Sequence, residues 1–147
     1  MLDTRYQIFI STSGRDMQPE RMVLSQTLVG MGFFAWGLEH RTPLTTTLAR
    51  RQIDECDYVI LLLGSQYGEQ AISGVSYLSL EYEYALSQAK PIIVFMHEQP
   101  ENREIDLQET HPQLKDKFLA FKKKVITRSK AYFLLLKLHV NWSWLSV

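Results

Sequence analysis

"YVILLLGSQYG", residues 58–68, decides the fold. Tyr58 to Leu63 is a continuous apolar run, too uniform for a strand with one wet face, so it reads as the central strand of a parallel sheet, buried on both sides. Gly64 and Gly68 bound the turn that follows. Such a turn has two readings. It is a sharp exit from the sheet with Tyr67 covering the core edge, or a close backbone approach to a ligand with Tyr67 stacked on a base.

Upstream, "YQIFIST" (6–12) is a short aromatic and branched run closed by Ser and Thr, and it reads as a buried strand. The following stretch, 13–32, predicts a helix with Asp16 as cap and Pro19 in the first turn. Its apolar face is Met22, Leu28 and Val29, and Gly30 and Gly32 stop it. "FFAWG" (33–37) predicts a second strand. Residues 42–57 favour a helix in which Leu44, Leu48, Ile53 and Cys56 fit the spacing loosely. Downstream come a helix over 73–90, a strand in "PIIVFMHE" (91–98), a polar loop, and an amphipathic helix from residue 112 with Leu114, Phe118, Phe121 and Val125 on one side. Strands alternate with helices throughout. That pattern predicts one domain over 1–147: an α/β fold with a doubly wound, mostly parallel sheet of the flavodoxin type and helices on both faces. Ligands of such sheets bind outside the carboxyl ends of the strands, which singles out residues 11–16, 64–68 and the His97–Glu98 pair.

Composition narrows the function classes. Lys plus Arg equals Asp plus Glu, 16 each, so the chain has no overall pull toward nucleic acid or anionic lipid. Cys56, the single cysteine, can form no internal disulfide and suits a reducing cytoplasm; its neighbours Glu55 and Asp57 disfavour a thiolate. The four histidines lack metal-ligand spacing, so no metal is expected. Neither a P-loop, nor G-x-G-x-x-G, nor a nucleophile elbow occurs. The N-terminal stretch has no apolar run of signal-peptide length. The most apolar segment, 131–147, is interrupted by Lys137, His139 and Asn141, so it predicts a buried strand or helix and not a membrane crossing of roughly 20 residues.

"STSGRD" (11–16) can hold a phosphate or ribose through backbone N–H groups and Arg15, or can simply cap a helix. On a helical wheel, Leu78, Tyr82, Ala85, Leu86 and Ala89 share a face; Glu81 falls on its flank, roughly 80° from the centre, and Glu83 lies about 120° away on the other side, in solvent. A flank carboxylate at the mouth of a cleft can hydrogen-bond a sugar hydroxyl or stabilise positive charge; equally, it can be the wet edge of a core helix.

Four stretches in order, "YQIFISTSGRDMQPER", "LARRQIDECDYVILLLGSQYG", "GVSYLSLEYEYA" and "KPIIVFMHE", resemble the family catalogued as domain of unknown function 4062, a relative of Toll/interleukin-1 receptor (TIR) domains and of nucleoside deoxyribosyltransferases. The resemblance covers about residues 5 to 125, leaving 126–147 as an atypical apolar tail. It implies a TIR-like signalling or defence domain that binds a nucleotide and cleaves the N-glycosidic bond of NAD or a related nucleotide, as substrate and not as cofactor. Glu81, with the small Ala85 four residues on, would act on the ribose, because the transition state has oxocarbenium character. Ser11, Thr12, Arg15, Asp16, Gly64, Tyr67 and Tyr77 would line the site. Tyr77 and Leu78 replace the Trp–Cys often found ahead of the TIR glutamate, which alters the cleft wall. The resemblance also implies an alternative, a non-catalytic module that self-associates or serves a larger signalling protein. A third implication is a deoxyribosyltransferase, which needs a second base pocket.

Overall fold

Branched and aromatic runs form the strands, and Gly or Pro punctuates them, in a computed structural model that describes residues 6–38, 40–129 and 131–134. The order is β1 (Gln7–Thr12), α1 (Gln18–Gly30), β2 (Phe34–Trp36), α2 (Thr46–Glu55), β3 (Tyr58–Leu63), α3 (Tyr77–Ser87), β4 (Ile92–His97), α4 (Pro112–Arg128) and β5 (Ala131–Leu134). The five strands are parallel neighbours in the order β2-β1-β3-β4-β5, a doubly wound α/β sheet with β3 at its centre as the apolar run requires.

Strand alternation sorts the core into two layers. Ile8, Ile10, Ile60 and Leu62 pack with Met17 and Leu28 on the α1 side. On the opposite side Phe9 and Val59 meet Ala49 and Ile53 of α2, while Leu61, Leu63, Val94 and Met96 meet Leu78 and Tyr82 of α3 and Phe118, Phe121 and Val125 of α4. Ser11, opposite Leu61, continues the odd-numbered row and so faces α3.

Two helix faces differ from the sequence reading. In α1, Met22 is 53% and Val29 58% exposed; the packed line is Leu24 and Leu28, one turn apart, with Met17 just ahead. Around α2, Leu44 and Leu48 are exposed and the sheet is met by Ala49 and Ile53. Helix α3 is shorter than 73–90, because Ser76 caps it, its Oγ accepting the Ser79 N–H at 3.1 Å. The apolar tail begins as β5; Lys137, His139 and Asn141 lie outside the described residues. Among those residues, no helix is long and apolar enough to cross a membrane.

Tyr82 joins the α3–α4 contact, edge-on to Phe121 at 5.6 Å between centroids, with its hydroxyl 2.6 Å from Ser129 Oγ. Tyr82→Phe keeps the ring and deletes that bond, so thermal unfolding should show a loss of about 1 kcal/mol, roughly 3 °C.

Candidate functional site

Ser11 reaches the carboxyl end of β1 pointing at α3, and its hydroxyl donates to Glu81 Oε1 at 2.6 Å. Glu81 is 6% exposed, so the flank position given by the wheel is corrected: the glutamate is buried. The cause is tertiary. Helix α3 is gripped on two sides, Ala85 against Ile53 of α2 and Tyr82 against Phe121 of α4, and this buried arc is wider than the helix's own apolar stripe.

The carboxylate has a second partner. Arg41, from the loop between β2 and α2, donates from Nε to Oε2 at 3.2 Å and from Nη2 to Oε1 at 3.1 Å, a bidentate pair in which Arg41 is only 8% exposed. Its backbone N–H donates to Glu69 Oε2 at 3.1 Å. Burial pushes the Glu81 carboxyl above its ordinary range, while Arg41, the Ser11 hydroxyl and Arg21 pull it back. Arg41 is absent from the sequence reading. The rule that ligands meet strand carboxyl ends marks it once the segment after β2 is included.

The other nominated residues divide into two groups. Tyr77 is buried and borders, with Glu81, Arg41, Ala49 and Ile53, a pocket of 20 Å³, too small for a nucleotide. Arg15 is exposed and lines a cleft of 620 Å³ with Ser13, Gly14, His40, Gln66 and Glu69. Thr12 is buried, and its hydroxyl accepts the Gly14 N–H at 2.9 Å. Asp16 caps no helix; it is fully buried and accepts from the Ser13 hydroxyl and, at 2.9 and 3.0 Å, from the N–H groups of Ser65 and Gln66. It thereby ties the loop after β1 to the loop after β3. Gly64 serves that tie, because a Cβ there would sit 2.3 Å from Asp16 Oδ2. Gly64→Ala should therefore lower stability by about 2 kcal/mol in a denaturant titration. Tyr67 is in the core, its hydroxyl accepting the Ser76 N–H at 3.2 Å; a side chain 6% exposed offers no face to a base.

His97 ends β4 buried and borders a separate cleft of 420 Å³ with Glu20 and Arg103, which are paired at 2.6 Å. Glu98 is exposed. Cys56 is buried, and burial pushes its thiol up, consistent with an inert core residue. Among the described residues, no group of three or more His, Cys, Asp or Glu is placed to hold a metal ion.

Arg41 borders the small pocket with Glu81 and connects to the larger cleft through its neighbours. His40, next in the chain, and Glu69, which holds the Arg41 N–H, are in the wall of that cleft, whereas Glu81 is not.

The family described as domain of unknown function (DUF4062) matches residues 7–141, reaching past residue 125, where the motif resemblance stops. No curated protein matches the chain. Among solved structures, the Clostridium botulinum CMP N-glycosidase BcmB is similar at 17% identity and a TM-score of 0.51, with 87% of each chain covered. The TIR domains of the activated Roq1 resistosome, which directly recognises the pathogen effector XopQ, are similar at 15% identity and a TM-score of 0.55, with 86% of each chain covered. At these identities the likeness establishes a shared TIR-like fold.

Proposed function

Since the chain belongs to the family of domains of unknown function DUF4062, we propose that it is a TIR-like nucleotide-processing domain that cleaves an N-glycosidic bond, with Glu81 acting on the ribose. The observation that carries this reading is the buried Ser11–Glu81 contact at the carboxyl end of β1, which holds one carboxylate in one rotamer at the edge where such sheets bind ligands. The shared fold of a CMP N-glycosidase supports the same choice.

The chemistry follows from charge. As the bond from C1′ to the base nitrogen breaks, its electron pair leaves with the base and positive charge develops on the ribose; nicotinamide leaves NAD already neutral, whereas the cytosine of CMP takes a proton from solvent. A fixed carboxylate stabilises that charge without reorganising, and a water oxygen then forms the new C1′–O bond and releases its proton. The experiment is incubation of concentrated protein with NAD and with CMP, followed by chromatography. Release of nicotinamide or cytosine supports the reading, and silence with both, at every protein concentration tried, would remove it.

A second reading has its own observation. Met22 and Val29, about two turns apart on α1, and Met31 at its C-terminal end are exposed, and Trp36 is exposed on the edge strand β2, apolar side chains suited to self-association. Sedimentation at rising concentration should show a dimer or larger species; a monomer at hundreds of micromolar would end this reading.

A further inference from the structure

Resting on the glycosidic reading of Glu81, we propose that Arg41 exchanges partners as substrate binds, leaving the Glu81 carboxylate for a phosphate of the nucleotide. The site would then take phosphorylated nucleotides and turn neutral nucleosides away.

Both carboxylate oxygens are occupied in the structure. Oε1 accepts from Ser11 Oγ and Arg41 Nη2, and Oε2 accepts from Arg41 Nε. Three of the carboxylate's roughly four acceptor sites are thus filled, so a ribose cannot bond both oxygens through its two hydroxyls until the guanidinium moves. Pulling a buried guanidinium from its carboxylate strands two charges, a large cost that a ligand without an anion bears in full. A phosphate offers the guanidinium the same fork of two acceptors, so the cost falls for a nucleotide and stays for a nucleoside.

The surroundings fit an exchange. Arg41 belongs to neither a strand nor a helix but to the segment between β2 and the turn that opens at Pro43. The open volume beside its backbone is the 620 Å³ cleft, through His40 and Glu69. That volume is in the range of small-molecule sites. Its own arginine, Arg15, is held by Asp106 at 3.5 Å with a side chain 75% exposed, so it can turn to a second phosphate oxygen. The two acidic residues of the wall are already engaged: Glu69 accepts the Arg41 N–H, and Glu109 accepts the Tyr67 N–H at 3.0 Å. Arg21 continues to favour the charged form of Glu81 after Arg41 departs.

The test is calorimetric binding of CMP and of cytidine to the parent, Glu81→Gln and Arg41→Gln, with base release measured on the same samples. The parent should prefer CMP at least about tenfold. Glu81→Gln offers Arg41 no competing anion, so its CMP affinity should rise roughly tenfold. Arg41→Gln should bring CMP and cytidine within about threefold of each other. If Arg41→Gln does not fold, the double variant with Glu81→Gln removes both buried charges and carries the same expectation. An undiminished CMP preference without Arg41, or no tightening in Glu81→Gln, overturns the exchange. So does failure of Glu81→Gln to bind CMP, AMP, GMP, UMP or NAD. The expected binding pattern without base release in the parent would overturn the glycosidic reading and leave the exchange standing.

Discussion

Glu81→Gln is expected to release base from a nucleotide at least about a thousandfold more slowly than the parent, equivalent to about 4 kcal/mol of transition-state stabilisation. The substitution keeps the shape of the side chain. Its amide oxygen can still accept the Ser11 hydroxyl and one N–H of Arg41, and what disappears is the negative charge opposite the developing oxocarbenium ion. Loss of that charge also leaves Arg41 buried without its anion, a change that costs about 3–5 kcal/mol when a partner is removed outright and about 2 kcal/mol when an amide remains. The melting temperature should therefore fall by about 5 °C, far too little to explain the loss of activity at 25 °C. Glu81→Ala should melt lower still, since the guanidinium then has no acceptor at all. Burial raises the carboxyl above its ordinary value of 4.5, and the ionised form is the active one, so base release in the parent should rise with pH through a value above 4.5. An active parent whose Glu81→Gln variant keeps its rate would move the chemistry elsewhere, and the His97–Glu20 cleft would be the first place to look.

The fold was legible because its strongest signals are local. Five residues of the β3 run, Val59 to Leu63, are buried as the reading required, while Tyr58 at its start is exposed, and the 3.6-residue spacing of α4 marks Phe118, Phe121 and Val125 correctly. The depth of Glu81 was not legible, because a wheel weighs a helix's own side chains, whereas its burial comes from α2 and α4 approaching from either side. Arg41 has no periodic context at all. It follows a three-residue strand and precedes Thr42 and Pro43, so topology alone identifies it. Asp16 read as a cap because it precedes Pro19, but a short 3-10 turn over Arg15–Met17 delays α1 and rotates the carboxylate inward.

That inward carboxylate gives a stability effect as large as the loss of Glu81. Asp16→Ala should cost about 4 kcal/mol, a large part of the 5–15 kcal/mol that holds a domain together, because the N–H groups of Ser65 and Gln66 and the Ser13 hydroxyl lose their acceptor. The loops after β1 and β3 line the 620 Å³ cleft, so nucleotide binding should weaken with stability. Asp16→Asn separates geometry from charge. Its carbonyl oxygen can accept both backbone N–H groups while its amide donates to Ser13, and it avoids the desolvation of a buried anion, so it should remain within about 1 kcal/mol of the parent. Burial raises the Asp16 pKa above its ordinary 3.8, which fixes the sign of the pH effect. The folded chain holds this proton more tightly than the unfolded chain, so the associated stability is complete below the unfolded carboxylate range and is lost as pH rises through the raised folded value. Melting temperature measured against pH should decline across that window in the parent and decline less in Asp16→Asn, which has no proton to release. Equal losses in the Asn and Ala variants would mean that the negative charge, opposite Arg103, and not the three acceptor bonds, holds the two loops together.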